Sequence, residues 1–242
     1  MQKTFKSKLI KGLCIALAVI LVCAGVFFIY TADYYRADKT ASELATAEYV
    51  TLTKDGDYVI SKSTQTSAAR KGVIFYPGAK VETKAYLPLM DKLARQNIDC
   101  FLVDMPFHLA LLDVNAADRI IQNNPQIDEW FLAGHSLGGA MASQYAYEHQ
   151  DTVSGLILLG AYPYKSYPLE KTLTIYGELD TSVQAKIDYT ENVYVIRGGN
   201  HAQFGNYGKQ SGDADAVINA DAQQVQAVAY MQTFILFGSW SI

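Results

Sequence analysis

The chain has 242 residues, half of them hydrophobic, with 20 basic and 24 acidic side chains and a formal net charge of −4. That length suits one domain of ordinary size plus an appendage, and the mildly acidic balance carries no electrostatic footprint for nucleic acid. Three cysteines, Cys14, Cys23 and Cys100, cannot build a disulfide scaffold, so stability has to come from an apolar core.

Residues 1–12 form a basic arm with Lys3, Lys6, Lys8 and Lys11 and no acid, and residues 13–30 are an apolar run of 18. A helix of that length rises about 27 Å, close to a hydrocarbon core of roughly 30 Å. One transmembrane signal anchor is expected, with the arm in the cytoplasm and the rest extracytoplasmic, at the cell membrane. The alternative is a secretory signal removed by cleavage, but the best site, Cys23-Ala24-Gly25, sits inside the apolar run, and bulky Val22 argues against lipidation of Cys23. Beyond the arm 16 basic face 24 acidic residues, a charge of −8 that repels anionic headgroups. Residues 31–48 read as a polar linker or short helix and residues 49–242 as the folded domain.

The domain opens with strands at 49–53 and 58–61 around the hairpin signal Lys54-Asp55-Gly56-Asp57, followed by a polar loop at 63–71. Strand and helix patterns then alternate: strand 73–76, helix 85–96, strand 98–103, helix 115–123, strand 129–133, helix 137–149. Strands at 154–159, 172–176 and 192–197 follow, and a helix at 220–236 closes the pattern. Such alternation predicts an α/β fold with a mostly parallel central sheet covered by helices on both faces.

Between strand 129–133 and its helix lies Gly134-His135-Ser136-Leu137-Gly138-Gly139, a Gly-x-Ser-x-Gly turn in the strand-turn-helix setting of a nucleophile elbow. A serine hydroxyl is a poor nucleophile, so Ser136 needs a base, and the elbow's usual chain order places an acid and then a histidine after it. Of four histidines, His108 and His135 precede Ser136 and His149 closes the next helix, which leaves His201, on the loop after strand 192–197. The acid is sought beyond strand 172–176, where Asp180 is the first choice, Glu178 the second and Asp188 the third. Oxyanion donors are expected at the Leu137 amide, at the helix start, and the Ala79 amide after strand 73–76, with Lys80 as the alternative to Ala79.

These segments resemble an α/β-hydrolase, and more narrowly a family of small serine hydrolases of that superfamily. The resemblance rests on Tyr-Pro-Gly-Ala-Lys-Val-Glu at 76–82, Asp-Met-Pro at 104–106, Leu-Leu-Asp-Val-Asn-Ala-Ala-Asp at 111–118 and Gly-His-Ser-Leu-Gly-Gly at 134–139. Tyr-Gly-Glu-Leu-Asp at 176–180 and Gly-Gly-Asn-His-Ala-Gln-Phe-Gly-Asn-Tyr-Gly at 198–208 complete it over residues 72–236. It implies a Ser136-Asp180-His201 triad and oxyanion amides at Ala79 and Leu137, and says nothing of the substrate.

Residues 162–171, where many such folds insert a cap, are too short for one. A shallow cleft is expected, rimmed by Tyr162, Tyr164 and Tyr167 and walled by residues 107–112, with Lys80 and Phe107 among the substrate contacts. No metal-spaced His/Cys cluster and no phosphate-cradling Gly-x-x-x-x-Gly-Lys loop occurs, so neither metal nor cofactor is expected. The reading is a membrane-anchored serine hydrolase of a small ester or thioester; an acyltransferase with the same triad and a non-catalytic binding protein on the same fold are the alternatives. Oligomeric state is left open.

Overall fold

The computed structural model describes residues 2–61 and 69–238, with side chains from residue 10 onward. The polar loop expected at 63–71 therefore lies mostly outside the described residues. The chain divides into two compact units, 1–34 and 35–242.

The first unit is the single helix α1, Gln2–Ala32, whose segment Ile10–Ala32 is 23 residues long with a mean hydropathy of 2.9. At about 1.5 Å per residue this reaches roughly 35 Å, enough by length and composition to cross a bilayer.

The second unit begins earlier than expected, because residues 35–48 are not a free linker. Tyr35 makes a parallel bridge to Val81, its amide donating to Lys80 O at 2.7 Å and its carbonyl accepting from Glu82 N at 2.8 Å. The short helix α2, Lys39–Leu44, is N-capped by Asp38, and Tyr35, Ala37, Leu44 and Ala45 pack on the core. Four apolar residues scattered through a polar stretch carry no period from which docking could be read.

Eight strands form one sheet in the order β1-β2-β4-β3-β5-β6-β7-β8. β1 (Val50–Leu52) and β2 (Tyr58–Ile60) form the expected hairpin, which joins β4 (Asp99–Leu102) antiparallel. β3 (Lys71–Tyr76), β4, β5 (Glu129–His135), β6 (Val153–Leu159), β7 (Thr172–Gly177) and β8 (Val193–Ile196) run parallel. The pleat sends alternate residues to opposite faces. Val73, Phe75, Phe131, Ala133, Ile157 and Leu159 thus meet α3 (Leu87–Ala94) and α7 (Ala220–Phe237) on one face. Ile74, Tyr76, Trp130, Leu132, Leu156 and Leu158 meet α4 (Ala117–Asn123) and α5 (Leu137–Glu148) on the other. Both faces are covered, as a parallel sheet requires. From β3 the chain goes to β4 on one side and then returns to β5 on the other, a switch that opens a crevice at the carboxyl ends of the strands.

Candidate active site

Ser136 sits between β5 and α5 with φ 52° and ψ −123°, a backbone conformation that costs an L-residue about 1–3 kcal/mol. Packing holds it there. A Cβ at Gly138 would lie 2.1 Å from Tyr76 O and 2.3 Å from Pro77 O, and one at Gly134 would lie 2.5 Å from Gly138 C. Only glycine lets helix and strands approach this closely, so the two glycines set the turn that exposes Ser136. Its hydroxyl has no hydrogen-bond partner among the described residues and faces a cavity of about 910 Å³.

His201 and Asp180 line the same cavity. His201 follows β8, and its Nδ1 lies 2.6 Å from Asp180 Oδ2. Asp180 also caps the four-residue helix α6, Thr181–Gln184, accepting from Val183 N at 3.1 Å and Ser182 Oγ at 2.7 Å. Burial on its own would raise the Asp180 carboxyl, but the hydrogen bond and charge of His201, with Ser182 and Val183, outweigh it and bring the group below its ordinary value. With Nδ1 committed to Asp180, the ring nitrogen left over is Nε2. Glu178 is engaged elsewhere, accepting from Gly198 N at 2.8 Å.

The amides after β3 separate the two oxyanion candidates there. Gly78 N donates to Tyr86 OH at 3.1 Å and Lys80 N to His108 O at 2.8 Å, while the Ala79 amide between them has no acceptor among the described residues. In α5 the first bonded amide is Ala140 N, to Ser136 O, so Leu137 N also has no acceptor among the described residues. Of the two amides after β3 that the sequence offered, that of Lys80 is spent on a carbonyl and that of Ala79 is not.

Leu111, Leu137, Met141, Tyr162 and Tyr164 form much of the apolar wall. Ser143 of α5 accepts from Tyr164 N at 2.8 Å, tying this loop to the helix without a cap domain. Three expectations are corrected. Lys80 and Phe107 lie outside the cavity lining, as Ala79 also does, and Tyr167 is core, 4% exposed with its hydroxyl on Val153 O. From the 107–112 segment it is Leu111 that reaches the cavity.

The wall that the sequence did not reveal comes from residues 210–214. Asp213 holds this loop against the histidine, accepting from His201 N at 3.2 Å and Ala202 N at 2.7 Å. Gly208 and Gly212, both at positive φ, were its one visible mark as a turning loop. Lys186 is the one cationic side chain in the cavity wall among the described residues. No group of three or more His, Cys, Asp or Glu side chains that could hold a metal occurs among the described residues.

A sequence model of the alpha/beta hydrolase family matches residues 72–225, more than half of the chain. No curated protein matches it in sequence. Among solved structures, the chain resembles a monoglyceride lipase from Saccharomyces cerevisiae, with a TM-score of 0.55 at 13% identity over 81% of this chain and 98% of that one. Est1E from Butyrivibrio proteoclasticus has a TM-score of 0.51 at 12% identity, covering 76% and 98% of the two chains. A ferulic acid esterase from Streptomyces cinnamoneus has a TM-score of 0.50 at 15% identity, covering 74% and 70%. At these identities the likeness is one of fold.

Proposed function

The chain belongs to the alpha/beta hydrolase family, and on that premise we propose that it is a serine hydrolase of a small carboxylic ester or thioester, held at a membrane by α1. The observation that carries this reading is that one cavity is lined by Ser136 on its strained turn, by His201 and by the Asp180 on which His201 Nδ1 rests.

In this reading His201 Nε2 takes the Ser136 proton as Oγ attacks the substrate carbonyl. The two free amides, Ala79 N and Leu137 N, receive the oxyanion, each worth roughly 3–4 kcal/mol of barrier by analogy with other oxyanion donors. The protonated His201, its charge balanced by Asp180, gives the proton to the leaving oxygen or sulfur. The acyl-enzyme is then hydrolysed by a water that His201 deprotonates, and Ser136 is regenerated. The ferulic acid esterase and the monoglyceride lipase that share the fold support the ester as the bond cleaved.

The test uses the full chain in mild detergent with a fluorophosphonate probe and a series of aryl esters. Wild type should label and hydrolyse while Ser136→Ala does neither. A wild-type chain that is as inert as Ser136→Ala in both assays overturns the reading.

A further inference from the structure

The residue before Ser136 is a histidine whose ring is 1% exposed and lies between the base and the oxyanion loop. His135 Nε2 lies 3.0 Å from His201 O, and since a carbonyl only accepts, Nε2 carries the proton. His135 Nδ1 lies 2.8 Å from Tyr86 OH, and that hydroxyl accepts from Gly78 N at 3.1 Å. The directions are consistent for one neutral tautomer: Gly78 N–H to Tyr86 O, Tyr86 O–H to His135 Nδ1, His135 Nε2–H to His201 O. The fit is close, because a Cβ at Gly78 would sit 2.8 Å from both His135 Nδ1 and Tyr86 OH.

We infer that His135 is a positioning residue that ties the His201 main chain to the oxyanion loop, so that base and oxyanion donors keep one fixed spacing about Ser136. This rests on the serine-hydrolase reading above. His201 is then fixed at three points: its amide by Asp213, its ring by Asp180 and its carbonyl by His135. The chain also fixes which amide after β3 stays free, since Tyr86 engages Gly78 and leaves Ala79 available.

Neutrality is part of the device. The two imidazole centroids are 4.6 Å apart, so a charge on His135 would oppose the charge that His201 must carry in the reaction. Burial first, and the His201 charge second, hold His135 well below the ordinary histidine range. The hydrogen bond to the His201 carbonyl and the nearby Asp180 carboxylate favour the charged ring but are outweighed, and the ring's other aromatic neighbours are Tyr86 and Phe204.

The experiment measures kcat, KM and thermal midpoint on an aryl ester for wild type, Ser136→Ala, His135→Phe, His135→Gln and Tyr86→Phe. Phenylalanine keeps the ring and loses both nitrogens; glutamine can place an N–H where Nε2 stands. Misplacement on the scale of an ångström costs about a hundredfold, so His135→Phe should lose about 10- to 100-fold in kcat at unchanged KM, with His135→Gln recovering most of it. Tyr86→Phe should lose kcat in the same sense. A folded His135→Phe with wild-type kcat, or a folded His135→Gln as impaired as His135→Phe, overturns the assignment. If His135→Phe does not fold, a wild-type kcat in Tyr86→Phe overturns it equally. Failure of the serine-hydrolase reading looks different, because wild type itself would then match Ser136→Ala.

Discussion

Asp180 Oδ2 accepts from His201 Nδ1 at 2.6 Å, while the other oxygen of the same carboxylate caps α6. The carboxylate therefore selects the tautomer with Nε2 unprotonated. Asp180→Asn can turn an N–H toward Nδ1 and force the opposite tautomer, and kcat should fall about 10³–10⁴-fold with the fold intact. Glu178→Gln, whose side chain meets the Gly198 amide, should keep most of the rate. If the two variants exchange phenotypes in a steady-state assay, Asp180 is not the orienting acid.

The acid limb of stability follows from the same group. The folded Asp180 value is depressed, so its contribution is complete above the ordinary carboxylate value and is lost as pH falls through the folded one. Urea midpoints of wild type and Asp180→Asn should converge below about pH 4. A constant difference from neutral to strongly acidic pH would contradict this.

For His135 the sign is the same and the window is higher, because its folded value also lies below its unfolded value, here about 6.5. Between those two values the unfolded chain binds a proton that the folded chain does not, so stability drops as pH falls, by up to about 1.4 kcal/mol per unit. Denaturation at pH 7.5 and 5.5 should show a smaller loss in His135→Gln than in wild type.

Gly138→Ala should be among the most damaging one-carbon changes in the protein. Its new Cβ meets the Tyr76 and Pro77 carbonyls, which are main chain and cannot rotate away. The strain is expected to cost about 1–3 kcal/mol or more, read as a lower thermal midpoint, together with loss of fluorophosphonate labelling. Wild-type labelling in this variant would mean that the turn does not need its close approach.

Asp213→Ala removes the acceptor of two amides next to the base. Each unsatisfied amide costs about 1–3 kcal/mol if it stays buried, so the 210–214 loop should open to rehydrate them. Hydrogen exchange at His201 and Ala202 should accelerate and kcat should drop. Unchanged exchange would show that the loop is held by other contacts.

The basic arm before the apolar helix predicts an orientation with the second unit outside the cytoplasm. Protease added to intact expressing cells should release it, and protection until the membrane is permeabilised would reverse the topology.

The alternating strands and helices were legible because each β-strand presents a period of two and each helix a stretch between turn signals. Trp130 and Leu132 belong to one face, Phe131 and Ala133 to the other, by pleat alone. The elbow was legible for a similar reason: a strand, a glycine-flanked serine and a helix are consecutive in the chain. Asp180 over Glu178 was a preference in the sequence. The structure separates them, since Glu178 is spent on Gly198 N.

The sequence by itself determined the elements, their order and the neighbourhood of Ser136, all of which depend on residues a few positions apart. Tertiary structure alone decided the docking of residues 35–48, the cavity wall at 210–214 and the link from Gly78 through Tyr86 and His135 to His201. The long-range contacts among them join polar groups tens of residues apart, as with Tyr86 and His135 or His135 and His201. They depend on hydrogen-bond direction and close packing, and no periodicity announces either before the chain has folded.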